Sequence, residues 1–176
     1  MKFLADDDRF GIVVTPAGCQ HMYQFRLVID GRLIGDAEPC IIGSAMMRLG
    51  NLTTLSDPRL SLGLTDPTAL VRLVASTGEL DIESGDEPDS ADTDLHDGTV
   101  LSLAESLDSW LVLGFRHDRG VVFLATYRAG GAPGPVTAAV IEPSVYDSLV
   151  EMSRVYWAKL EAAAGPGYGP SPACGS

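Results

Sequence analysis

The sequence predicts an α+β fold, with a mainly antiparallel sheet packed against a long C-terminal helix and shorter helices. Three observations carry that prediction. The dipeptide Asp30-Gly31 stands between short apolar runs, which is the signature of a tight hairpin. Three strand-like runs lie close together between Trp110 and Glu142, and their short connections favour an antiparallel meander. Beyond Pro143, apolar residues recur at helical spacing.

Element by element, Phe10 to Thr15 is short, apolar and β-branched and reads as a strand, closed by the turn residues Pro16-Ala17-Gly18. From His21 to Asp30 the side chains alternate, so that Tyr23, Phe25, Leu27 and Ile29 form the face expected to meet the core. Arg32 to Ile34 returns as the partner strand of the hairpin. Cys40 to Leu52 reads as a strand end leading into a helix, with Ser44 as its N-cap and Gly50-Asn51 as its stop. A second helix opens at Asp66-Pro67, shows Leu70, Val71, Leu73 and Val74 on one face, and is expected to end at Gly78.

Glu79 to Asp97 carries nine carboxylates and no Lys or Arg, with Gly85, Pro88 and Ser90 as breakers, and it is expected to form an acidic loop. Trp110–Arg116, Val121–Arg128 and Val136–Glu142 are the meander strands, the last reached through the Gly- and Pro-rich connector 130–135. In the final helix, Val145, Leu149, Met152, Tyr156 and Leu160 are expected to form the buried stripe. The domain organisation expected is one α+β domain over residues 1–164, with a flexible acidic insertion at 79–98 and a disordered Gly/Pro-rich tail at 165–176. No internal repeat or heptad series is present.

The chain has 176 residues, the length of one ordinary domain, and its 45% hydrophobic and 20% charged residues are a globular balance. Acidic residues number 24 against 12 Lys plus Arg, for a formal net charge of -12. Such a field repels nucleic acid and anionic lipid surfaces, and it accelerates encounters with basic partners. Asp6, Asp7, Asp8 and Arg9 follow Leu4-Ala5 at once, which interrupts any secretion-signal core, and no apolar run approaches the length of a bilayer span. Three cysteines, Cys19, Cys40 and Cys174, without paired spacing favour free thiols in a reducing cytoplasm.

Motifs for chemistry are sparse. Cys19 and His21 could share a strand face as nucleophile and base, but no orienting group or oxyanion hole accompanies them. Cys40, between Pro39 and Ile41, reads as a small buried hydrophobe. The stretch Asp92-Thr93-Asp94-Leu95-His96-Asp97-Gly98 has calcium-loop spacing at its start. It then places His96 fifth, Asp97 where Gly is required and Leu103 where a bidentate Glu is required. The run Gly130 to Gly134 lacks both the phosphate-loop ending and the dinucleotide fingerprint. The expectation is no catalytic residue, no metal and no cofactor. A small-molecule-sensing module and a cysteine-dependent hydrolase built on Cys19 or Cys40 are the alternatives.

The segments Phe10-Gly11-Ile12-Val13-Val14, Tyr23 to Gly31 and Ile34-Gly35-Asp36 resemble small immunity proteins of bacterial polymorphic-toxin systems. In those proteins an early strand leads into a hairpin with this inner-strand, Asp-Gly, Ile-Gly-Asp pattern. The resemblance covers about a quarter of the chain and leaves out both the acidic insertion and the tail. It implies an antitoxin that plugs a cognate toxin domain in the producing cell. Toxin clefts that act on nucleic acid are basic, and a carboxylate-rich surface can mimic the phosphate ligand and steer association. On that reasoning Asp86, Glu87, Asp89, Asp92 and Asp94 are the candidate contacts with a basic partner protein.

Overall fold

The computed structural model describes residues 1–5, 8–54, 56–83, 90–101, 103–129 and 132–165. The first sheet has the order β1 (Lys2–Leu4), β2 (Phe10–Pro16), β3 (Tyr23–Ile29) and β4 (Arg32–Ile34), with β5 (Pro39–Cys40) also on β3. Every pairing in it is antiparallel. The hairpin forms as the sequence expects. Asp30 and Gly31 take φ values of 49° and 73°, both left-handed, a geometry whose twist matches that of the flanking strands. The turn sets Ile29 opposite Arg32 and Leu27 opposite Ile34. Tyr23, Phe25, Leu27 and Ile29 are all buried, joined by Phe10, Ile12, Val14 and Ile34.

Strand β1 has too few residues to show a period, and no signal in the sequence marks it. Its docking depends on Gly11. A Cβ there would stand 2.4 Å from Leu4 Cδ2 and 2.6 Å from the Phe3 carbonyl, so any side chain would push β1 away.

The second sheet is the expected meander: β6 (Trp110–His117), β7 (Gly120–Ala129) and β9 (Thr137–Ile141), with the short β8 (Ala132–Pro133) folding back on β7. Both of its faces are buried. Val112, Val121, Phe123, Ala125, Ala139 and Ile141 join the core shared with the first sheet. Leu111, Leu113, Phe115, Val122 and Leu124 join a second core with Leu60, Leu70, Val71, Val74 and Leu95. Burial on both sides explains why Val121 to Ala125 reads as an unbroken apolar run instead of alternating.

Helix α1 (Gly43–Gly50) starts one residue before Ser44, and Ile42 stands at the cap without a side-chain hydrogen bond, so Ser44 does not cap it. Asn51 ends it, donating from Nδ2 to the Met47 carbonyl at 3.0 Å. A 3-10 turn at Pro58–Ser61 leads into α2 (Leu62–Thr65). Helix α3 (Pro67–Glu83) opens where expected, with Asp66 Oδ1 accepting from the Ala69 N–H at 3.0 Å. It does not stop at Gly78. A single glycine within a helix costs only about 1 kcal/mol, which neighbouring contacts override.

After residues 84–89, which lie outside the described part, α4 (Ser90–Thr99) follows where the sequence suggested loop. Tertiary packing accounts for the difference. Leu95 enters the second core, and the buried Thr99 hydroxyl donates to the Leu95 carbonyl at 2.7 Å.

Helix α5 (Pro143–Ala164) is capped by Glu142, whose carboxylate accepts from the Val145 N–H at 3.0 Å. Its buried residues are Tyr146, Leu149, Val150 and Ser153, while Met152 is 49% exposed. Of the expected stripe, Leu149 is buried and Val145, Tyr156 and Leu160 pack partly buried against the core, so Met152 alone falls outside it, while Tyr146, Val150 and Ser153 widen the buried face. The Tyr146 hydroxyl finds the Leu49 carbonyl of α1 at 2.7 Å deep in the core.

Candidate partner-binding surface

The carboxylate run is carried largely by two helices. Glu79, Asp81 and Glu83 fall on the last turns of α3, and Asp92, Asp94 and Asp97 on α4. Of the five candidate contacts, Asp92 and Asp94 lie on α4, whereas Asp86, Glu87 and Asp89 lie outside the described residues. Asp92 lies in the first turn of α4, where the helix dipole favours a carboxylate, whereas Glu79, Asp81 and Glu83 sit at the opposite, C-terminal end of α3, where it does not.

Helix α4 is fixed to the second sheet just beyond its end, where Val100 bridges to Leu113 and the Leu101 N–H donates to the Val112 carbonyl at 2.8 Å. Asp97 projects into solvent with its side chain 76% exposed, 3.4 Å from His96 Nδ1. Between Arg72 and Arg116 the chain contains no Lys or Arg. The helical backbone of 92–98 also removes the calcium-loop reading, since chelation requires a loop. Among the described residues no group of three metal-ligating side chains converges.

The thiol and imidazole do not form a reactive pair. Cys19 is disulfide-bonded, contrary to the free thiol expected from an odd cysteine count, and its partner lies outside the described residues. An odd count leaves one thiol over but does not forbid a single bridge. Cys40 is the buried free thiol, donating weakly to the Tyr23 carbonyl at 3.3 Å.

His21, held at a left-handed φ of 59°, places Nδ1 2.6 Å from Glu161 Oε2. The Tyr23 hydroxyl donates to Glu161 Oε1 at 2.6 Å, and Gln20 Nε2 donates to the Ala164 carbonyl at 2.7 Å. The β2–β3 turn thus clasps the end of α5. Sequence separation hid this arrangement, because Glu161 reads as an ordinary polar-face residue. Burial pushes the Glu161 carboxyl up, but the Tyr23 and His21 hydrogen bonds outweigh it and hold the group below the usual carboxylate range.

A depressed folded-state pKa stabilises the protein above the unfolded value and loses that contribution as pH falls through the folded one. Glu161→Gln is therefore expected to cost about 1 kcal/mol at pH 7 and to reduce the loss of stability on acidification below about pH 4. Urea unfolding of both proteins at pH 7 and pH 3 checks this. A constant difference between them at both pH values would contradict it.

A cleft of about 490 Å³ opens between Thr54, Asp57, Ser61, Arg116, His117 and Pro143. Its charged groups are already paired: Arg116 with Asp147, His117 with Asp118, and Asp57 with Arg59 at 2.7 Å. The hydrogen bond from Arg59 holds the Asp57 carboxyl below its ordinary range. Such mutual pairing does little to favour a small-molecule site, where polar groups converge on a ligand. No described helix is long and apolar enough to cross a membrane.

No protein-family model and no curated protein matches the sequence. A solved structure, CdiI from Burkholderia dolosa AUO158, is similar to 89% of this chain over 99% of its own, with 15% identity and a TM-score of 0.51. The two-sheet arrangement with its long C-terminal helix is thus a fold that this chain shares with CdiI.

Proposed function

We propose that this chain is a non-catalytic immunity protein that neutralises a cognate toxin domain by protein–protein contact. The observation that carries the reading is the likeness in fold to CdiI, an immunity protein of contact-dependent inhibition toxin systems. It coincides with the resemblance of the Phe10 to Asp36 hairpin region to immunity proteins. The net charge of -12 favours a basic partner, and the α3–α4 acidic unit, with Asp86, Glu87, Asp89, Asp92 and Asp94, is the contact surface. The chain acts in the cytoplasm of the producing cell. There the fold must persist with Cys19 reduced, and neither hydrophobic core includes that residue.

The test is binding of the purified chain to a toxin domain sought among the products of the neighbouring genes, followed by sedimentation and calorimetry. The reading expects a complex that weakens steeply as salt rises, because exposed charges are screened beyond about 8 Å at physiological ionic strength. Absence of a complex at low salt would refute it.

A further inference from the structure

The hairpin tip faces the start of β6. The Arg32 guanidinium lies over the Trp110 ring, 5.3 Å from its centroid. Tyr127 meets the same indole edge-on at 5.2 Å and is itself 42% exposed. The arrangement follows from the registers. Ile29 opposite Arg32 points Arg32 to the inner side of the first sheet, and Trp110 opposite Tyr127 places both rings at the matching end of the second.

Among the described residues Arg32 makes no ion pair, so its N–H fork stays open above the ring. Among the described residues Trp110 Nε1 is a buried donor without a hydrogen-bond partner, which a folded protein rarely leaves unmet. Tryptophan, tyrosine and arginine are the residues that dominate binding energy at protein interfaces. A guanidinium preorganised on an aromatic face offers two parallel donors to a carboxylate with little further loss of side-chain freedom.

We infer that Arg32, Trp110 and Tyr127 form a second docking surface, one that takes a carboxylate-bearing segment of a protein partner. The surface has the opposite preference to the α3–α4 unit, so it reads a different part of a partner or a different partner. It stands independently of the immunity reading.

The experiment uses the full chain in a Trp157→Phe background, which leaves Trp110 as the sole tryptophan reporter. The probes are hexaglutamate blocked at both ends, hexalysine and a single-stranded decathymidylate. Hexaglutamate is expected to change Trp110 emission saturably, with binding at least ten-fold weaker in Arg32→Gln and unchanged in Arg72→Gln, a control on the exposed side of α3. No saturable change with hexaglutamate, or equal weakening in both variants, overturns the inference. A tighter response to decathymidylate than to hexaglutamate overturns it in favour of a nucleic-acid ligand. No toxin is present in this assay, so its failure and the failure of the immunity reading are separate results.

Discussion

Tyr146→Ala is expected to destabilise the protein by about 3–5 kcal/mol, the cost of removing a large aromatic side chain from a closed core. Tyr146 is fully buried and stacks within 5.7 Å of Phe10 and 5.6 Å of Phe123, themselves 4.4 Å apart. These three rings come from α5, β2 and β7, so the residue ties the long helix to both sheets at one point. The Arg116 guanidinium, 5.6 Å from the same ring, covers its outer side. Deleting the side chain leaves a cavity at that junction and also orphans the Leu49 carbonyl. Tyr146→Phe separates the two effects. It keeps the packing and removes the hydroxyl alone, at an expected cost of about 1–2 kcal/mol. Urea unfolding of the two variants measures both values, and equal losses would mean that the hydroxyl bond, not the packing, is what Tyr146 contributes.

The second large effect concerns association. Replacing Asp86, Asp89, Asp92 and Asp94 by Asn and Glu87 by Gln removes five of the 24 acidic residues, all from one segment. Charge near an interface acts mainly on the encounter rate, whereas packed contacts set the rate of separation. The neutralised protein is therefore expected to associate with its toxin domain about ten-fold more slowly at low salt, with dissociation changed about two-fold or less. The gap should close as salt is added, since the wild-type advantage is a screened, long-range one. Stopped-flow fluorescence measures both rates. Unchanged association at low salt would remove the α3–α4 unit as the contact surface and leave the immunity reading to stand on the fold.

Much of the fold was legible because local chemistry agreed with global packing. Asp30-Gly31 demanded a turn, and the turn fixed the register that buries Phe25, Leu27 and Ile29. The Pro143 start of α5 was equally plain. What escaped was decided by contacts distant in sequence. Strand β1 exists because Gly11 leaves room for Leu4, and α4 exists because one leucine, Leu95, reaches the second core from an otherwise polar stretch. The widening of the α5 buried face to include Tyr146 goes with a hydroxyl-to-carbonyl bond spanning 97 residues, which no periodicity encodes.

The candidate contacts were visible only as a charge run. The sequence did not show that α3 and α4 would carry its two ends, nor that Arg32 and Trp110 would meet across the sheets. The Cys19–His21 pairing failed for a related reason, because nearness in sequence says little about which side chain each residue faces. His21 turned to Glu161 and Cys19 to a disulfide.

Protection of living cells tests the central claim most directly. A toxin domain found among the products of the neighbouring genes is induced in a susceptible host, with or without this chain, and growth is followed alongside recovery of a complex. The account predicts arrest in the absence of the chain, and restored growth with an equimolar complex in its presence. Continued arrest despite abundant folded chain, or rescue with no complex formed, would contradict it.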